Sequence, residues 1–321
     1  MKTILVTGGA GFIGSHVCDA LLARGYRVIC VDNFNDYYDP RIKESNIEEA
    51  SKNTNFVLCR VDITDKEGLK KIFEETKVNK IIHLAARAGV RASLENPELY
   101  YNVNVTGTRN LLDMAVNHKI TTFIFGSSSS VYGTNKKIPF SEDDPIESTI
   151  SPYAETKKEA ERLCRESHDK FGLNIACLRF FTVYGPRGRP DMAPFKFTKL
   201  VIEEKPIDLY GDGTSKRDYT YIKDIVEGIL SALDKDFGFE IINLGDSNSI
   251  ELRDFISLIE KETGKKAKKN KLSMQNGDVP ITYADISKAR KLLGYNPKIK
   301  IEEGIKLFVE WFKHGKIKSF P

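Results

Sequence analysis

Short apolar runs alternate with amphipathic stretches through the first half of the chain, and this order limits the fold more than any other feature. Thr3 to Val6 precede a helical stretch to Arg24, and Arg27 to Val31, Phe56 to Leu58, Lys80 to Leu84, Phe123 to Phe125 and Ile175 to Leu178 repeat the strand signal. Helical stretches near 65–75, 98–118 and 152–171 separate them. Strands that each wait for a crossover helix build a parallel sheet, so the pattern predicts an α/β, doubly wound parallel sheet with helices on both faces. After Gly185 the pattern loosens, interrupted by Pro186, Pro190 and Pro194. This predicts a first domain over 1–185, to which 219–247 returns, and a smaller C-terminal α/β lobe over 186–321.

At 321 residues the chain can hold one large core or two unequal lobes, and 40% hydrophobic with 29% charged residues is ordinary for a globular enzyme. A net charge of +4 is too slight to imply a nucleic-acid or membrane partner. The five cysteines are scattered without a Cys-x-x-Cys pair and read as reduced packing residues, with no metal site expected. Only Ile4, Leu5 and Val6 precede the first glycines, too short a run for a signal-peptide core, so a cytoplasmic protein is expected. No apolar run approaches the roughly 20 residues that span a bilayer.

Thr7-Gly8-Gly9-Ala10-Gly11-Phe12-Ile13-Gly14 follows the first strand and opens the first helix, the context that a phosphate-binding turn requires. Glycines admit close approach that a Cβ would block, and the helix N-terminus offers N–H groups to a pyrophosphate. Asp32, followed by Asn33, closes the second strand 18 residues after Gly14. A carboxylate there accepts from an adenosine ribose and repels a 2′-phosphate, which favours NAD over NADP. Asp62 and Ile63 follow the third strand and could flank the adenine, although Asp62 could equally cap the helix near Asp65. Leu84, Ala85 and Ala86 end the fourth strand with small side chains that let backbone approach the cofactor, and His83 before them reads as a core residue.

Phe125-Gly-Ser127-Ser128-Ser129-Ser130-Val-Tyr132-Gly133 ends the fifth strand, on the side where ligands sit in such sheets. Downstream, Tyr153 and Lys157 stand one helical turn apart, on one face of a helix. Bringing a phenol from about 10 to about 7 takes about 4 kcal/mol, which one cation about 4 Å away supplies at an effective dielectric of about 20. Lys157 is one candidate for that cation and a nicotinamide ring another.

With these residues the chain resembles the extended short-chain dehydrogenase/reductase family, whose sheet is of the Rossmann kind, and within it the nucleotide-sugar 4-epimerases, from the glycine turn to at least Tyr295. The resemblance implies a triad in which Ser128 hydrogen-bonds the reacting sugar hydroxyl, Tyr153 removes its proton, and Lys157 lowers the tyrosine pKa and holds the nicotinamide ribose. It also implies hydride transfer from sugar C4 to NAD, rotation of a 4-keto intermediate, and return of the hydride to the opposite face. Sister dehydratases need an Asp-Glu pair beside the hydroxyl residue, where this chain has Ser129 and Ser130. A homodimer is implied, through the helices flanking the serine strand, and Leu111, Leu112, Met114 and Ala115 give one of them an apolar side that could also be core.

Asp32-Asn-Phe-Asn-Asp-Tyr-Tyr-Asp39, Ala88-Gly-Val-Arg91 and the tract from Arg179 to Met192 are similar to UDP-glucuronate 4-epimerases. Thr182 stands where UDP-glucose epimerases usually carry Asn, and with Ser127, Ser128 and Ser129 it could hold a sugar carboxylate, with Arg91 or Arg189 adding charge. The same resemblance assigns Arg217 to the substrate diphosphate and Asp278 to the UDP ribose. The expected activity is interconversion of UDP-glucuronate and UDP-galacturonate. A UDP-glucose 4-epimerase, a UDP-glucuronate decarboxylase and a non-catalytic NAD-bound sensor are the alternatives.

Overall fold

A computed structural model of the chain describes residues 1–146, 148–273 and 279–315. Among these residues the strands are β1 (Thr3–Thr7), β2 (Arg27–Val31), β3 (Phe56–Cys59), β4 (Lys80–His83), β5 (Thr122–Ser128), β6 (Asn174–Phe180), β7 (Thr182–Tyr184), β8 (Ile207–Tyr210), β9 (Lys216–Tyr221), β10 (Phe239–Leu244), β11 (Ser249–Glu251) and β12 (Lys269–Leu272). Seven of them form one parallel sheet in the order β10-β6-β5-β4-β1-β2-β3. All five residues of β1 and all seven of β5 are buried, which is why these strands read as apolar runs rather than as alternating ones. The chain winds outward from β1 to β3, then returns to β4 on the other side of β1. That reversal opens a crevice at the carboxyl ends of β1 and β4, where ligands bind in open parallel sheets.

The segment 219–247 divides between sheets. Helix Ile222–Leu233 packs on the first helix, α1 (Phe12–Ala23), and β10 extends the large sheet beside β6. Strand β9 does not join it, but pairs with β7 and β11 in a separate sheet, and β8 pairs with β12. Apolar alternation marks a strand but carries no information about which distant partner takes its hydrogen bonds. One hydrophobic cluster runs from Ile4 and Val6 through Leu244 and Phe255 to Ile305 and Val309, so the C-terminal segments share a core with the sheet.

The helix that carries Tyr153, α2 (Pro152–Phe171), is set by local chemistry at both ends. Ser151 accepts from the Ala154 N–H at 3.2 Å, Pro152 occupies the first turn, and Gly172 closes the helix in the left-handed conformation. Its depth is set by a buried ion pair. Arg179 of β6 donates from Nε and Nη2 to the two carboxylate oxygens of Glu161 at 2.9 and 2.8 Å, and Ser127 of β5 donates to the same carboxylate at 2.6 Å. The expected helix near 98–118 forms with a π-turn at Asn102–Thr106. Asn104 in that turn accepts from the Arg87 N–H and donates to the Arg87 carbonyl and Thr156, pinning the loop after β4 to α2. Leu111, Leu112, Met114 and Ala115 lie inside the chain's own core, packed with Phe123 and Phe125 rather than forming an open docking face.

Replacing Glu161 with Leu would leave the Arg179 guanidinium buried without its anion. Unfolding in denaturant should then show a loss of about 3–5 kcal/mol, most of it recovered by also replacing Arg179 with Met.

Candidate active site

The carboxyl ends of β1, β2, β4 and β5 and the start of β7 enclose a cleft of about 480 Å³, a volume usual for small-molecule sites. One end is the glycine turn. A Cβ on Gly14 would sit 2.1 Å from the Gly8 carbonyl oxygen, and one on Gly8 would meet the Ala85 nitrogen at 2.7 Å. Gly8 also takes φ +66. Nothing larger than hydrogen fits these contacts, and no side chain caps α1. Phe12, Ile13 and Gly14 therefore bring the first turn of a helix to the cleft, with N–H groups available to an anion. Such a cradle fits a dinucleotide pyrophosphate.

Asp32 and Asn33 line the next stretch of the cleft. Asp32 is buried, with Oδ2 accepting from the Ala10 N–H, and Oδ1 from the Phe34 N–H and the Lys43 ammonium at 3.3 Å. Three of about four acceptor positions on an ionised carboxylate are thus taken, which leaves room for a ribose hydroxyl. Lys43, itself 5% exposed, gave no sequence signal because it lies in an ordinary charged helical stretch. Asp62 accepts from Thr64 and from the Asn33 amide and lines the cleft, while Asp65 and not Asp62 caps the following helix. Ile63, Leu84, Ala85 and Ala86 also line it. His83 is a core residue, with its ring nitrogens against Thr7 and Thr108 at 2.7 and 2.9 Å. Burial lowers its pKa to about 3, helped by the nearby Lys157 charge.

At the far end the serine strand meets α2. The Ser128 hydroxyl favours the Tyr153 phenolate and donates to the Ser130 hydroxyl at 3.1 Å. Burial raises the Tyr153 pKa, against the pull of the Ser128 hydroxyl and the Arg189 charge. Lys157 donates to the Gly126 carbonyl at 2.7 Å, and burial brings its pKa down to about 8, with Glu161 below it acting the other way. The Lys157 ammonium is thus held at the strand end, and Arg189 adds a second positive charge that favours the Tyr153 phenolate. Ser127 borders the cleft, but its hydroxyl proton goes to Glu161, so it has no donor left for a sugar. Glu161 could have been found one turn beyond Lys157, on the face shared with Tyr153.

Ser129, Thr182 and Arg189 line the same end of the cleft. Arg91 and Arg217 are not among its lining residues: Arg91 is exposed and lies over the Tyr210 ring at 4.8 Å, and Arg217 donates to the Lys216 carbonyl on β9. The charge facing Tyr153 is thus Arg189 and not Arg91. Asp278 lies outside the described residues.

A sequence model of the family described as "GDP-mannose 4,6 dehydratase" matches residues 5–308. A UDP-glucuronate 4-epimerase of Thermodesulfobacterium geofontis is 49% identical, over 98% of this chain and 97% of its own. The crystal structure of UDP-glucuronic acid 4-epimerase from Bacillus cereus, in complex with UDP-glucuronic acid and NAD, superposes with a TM-score of 0.92 at 40% identity, covering 97% of this chain and 99% of that one. A UDP-glucose 4-epimerase of Thermotoga maritima, solved with UDP-glucose, gives 0.90 at 34% identity, with the same coverage.

The glycine turn makes a prediction of its own. Gly14→Ala should yield protein without bound dinucleotide, as read by chromatography of the nucleotide released on heating. Tyr153→Phe, which removes one oxygen from the far end of the cleft, should keep it.

Proposed function

The chain belongs to the extended short-chain dehydrogenase/reductase family, and on that premise we propose that it is an NAD-dependent 4-epimerase interconverting UDP-glucuronate and UDP-galacturonate. The observation that carries this reading is the meeting of Ser128, Tyr153, Thr182 and Arg189 at the end of a cleft whose other end is a dinucleotide cradle. NAD bound there, held by the glycine turn, Asp32 and Lys157, supplies the acceptor and then the donor of the sugar C4 hydride.

The protein's own part is to move one proton and hold one sugar. Ser128 accepts or donates a hydrogen bond at the C4 hydroxyl, and Tyr153 takes its proton. The resulting 4-keto sugar turns in the pocket, and Tyr153 returns the proton to a hydroxyl of opposite configuration. Ser129 and Ser130 lack the acid and base that elimination of water requires, which argues against the dehydratase chemistry of the family's description. A uronate adds a carboxylate, for which Thr182 and Arg189 offer a hydroxyl and a guanidinium. Arg217 on β9 remains the candidate for the diphosphate, and Asp278 for the uridine ribose, in the lobe 186–321.

The family premise also implies a homodimer, testable by light scattering. The apolar stripe at 111–115 is core and so is not the face of such a dimer. The five free cysteines suit a cytoplasmic, reducing setting.

Purified protein should convert UDP-glucuronate to UDP-galacturonate without added cofactor. Faster turnover of UDP-glucose would overturn the choice of sugar, and UDP-pentose with CO2 as the main products would make it a decarboxylase. Tyr153→Phe should lower kcat by about 10²- to 10⁴-fold, the usual contribution of a positioned acid–base group. Arg189→Ala should lower kcat/KM for UDP-glucuronate by roughly tenfold to a hundredfold, the worth of a charged hydrogen bond, and affect any UDP-glucose turnover less.

A further inference from the structure

The cation at the reacting end of the cleft is itself held by an anion. Arg189 donates from Nε to Asp191 Oδ1 at 2.9 Å and from Nη2 to Asp191 Oδ2, so one flat edge of the guanidinium is closed to a substrate. The Nη1 end remains for the cleft that Arg189 lines. Tyr37 braces the pair: its hydroxyl donates to Asp191 Oδ2 at 3.3 Å, and Arg189 lies 5.4 Å from the centre of its ring. A Cβ on Gly89, which stands at φ +112, would come within 2.8 Å of the Tyr37 oxygen, so that glycine is what lets the tyrosine reach in. The same Cβ position lies 3.7 Å from the Tyr100 hydroxyl, which donates to the Ala88 carbonyl at 2.9 Å, and the Tyr100 ring packs edge to face against Tyr153 at 6.3 Å. The three stretches that resembled uronate epimerases, at 32–39, 88–91 and 179–192, thus converge on Arg189.

We propose that Asp191, braced by Tyr37, is a positioning residue that fixes the aim of Arg189 at the sugar carboxylate and so keeps the 4-keto intermediate from losing CO2. This rests on the uronate reading above. In that intermediate the carboxylate is β to the C4 carbonyl. Breaking the C5–C6 bond releases CO2 and sends the bonding pair into the carbonyl as a C4–C5 enolate, which then takes a proton at C5 to give a UDP-4-keto-pentose. The step is fast only when the breaking bond stands perpendicular to the carbonyl plane and the carboxylate charge is free to leave its oxygens. A guanidinium fixed from behind by Asp191 opposes both. It keeps the negative charge on the carboxylate and restricts rotation of the group, whereas an arginine free to swing would follow the carboxylate as the sugar turns.

The test gives UDP-glucuronate, labelled at its carboxyl carbon, to the wild-type, Asp191→Ala and Tyr37→Phe holoenzymes, and counts released CO2 against UDP-galacturonate. The ratio should rise by about tenfold or more in Asp191→Ala, since a paired charged contact is lost, and by less in Tyr37→Phe, which loses one hydroxyl and keeps its ring. If Asp191→Ala does not fold, Tyr37→Phe carries the test alone. An unchanged product ratio, with only slower turnover, would overturn the proposal, because a merely structural role slows both products together. Wild-type protein that makes no UDP-galacturonate would instead overturn the uronate reading.

Discussion

The contact between α2 and the end of β5 is the constraint on which the site depends. Two consecutive residues of the strand are tied to the helix one turn apart, Gly126 to Lys157 and Ser127 to Glu161, and the Ser128 hydroxyl acts on Tyr153 one turn earlier. The deepest of these ties also involves Arg179 of β6, so sliding or rotating the helix would separate a carboxylate from a guanidinium inside the core. Breaking such a pair costs several kcal/mol, far more than a surface contact could return. The register of Tyr153 is thus set by a charge pair that lies outside the lining of the cleft.

The same burial that fixes Tyr153 and Lys157 works against the charged form of each. It pushes the Tyr153 phenol up and the Lys157 ammonium down, each toward its neutral form. Ser128 and Arg189 act against this on the tyrosine side, and Glu161 on the lysine side. Arg189 therefore stands in two balances at once: it stabilises the phenolate, and it is itself held by Asp191. A positive ring brought in beside Tyr153 would tip the first of these, which fits a base that becomes active only in the loaded site.

What the sequence disclosed follows from local rules. Strands buried on both faces are apolar at every position, and a turn with no room for a Cβ requires glycine at Gly8 and Gly14 whatever the rest of the chain does. Helix α2 carries its own start and stop signals at Ser151, Pro152 and Gly172. The parts that stayed hidden depend on contacts between distant segments. Nothing in the spacing tells that Lys43 is buried against Asp32, that β9 leaves the large sheet, or that Arg189 and not Arg91 faces Tyr153. Glu161 is intermediate, since its spacing from Lys157 was legible but its partner on β6 was not.

A fold that oxidises a sugar at C4 can send the product several ways, and this chain's character lies in the routes it closes. Elimination needs an acid and a base next to Ser128, and Ser129 and Ser130 are neither. Loss of CO2 needs a carboxylate free to turn, and the guanidinium available to hold it is anchored on its far side by Asp191. With both exits closed, reduction from the opposite face is the step left to the intermediate. Discrimination among these reactions is then exerted on the 4-keto sugar rather than on the substrate that enters, so residues that never touch the C4 hydroxyl can decide the product.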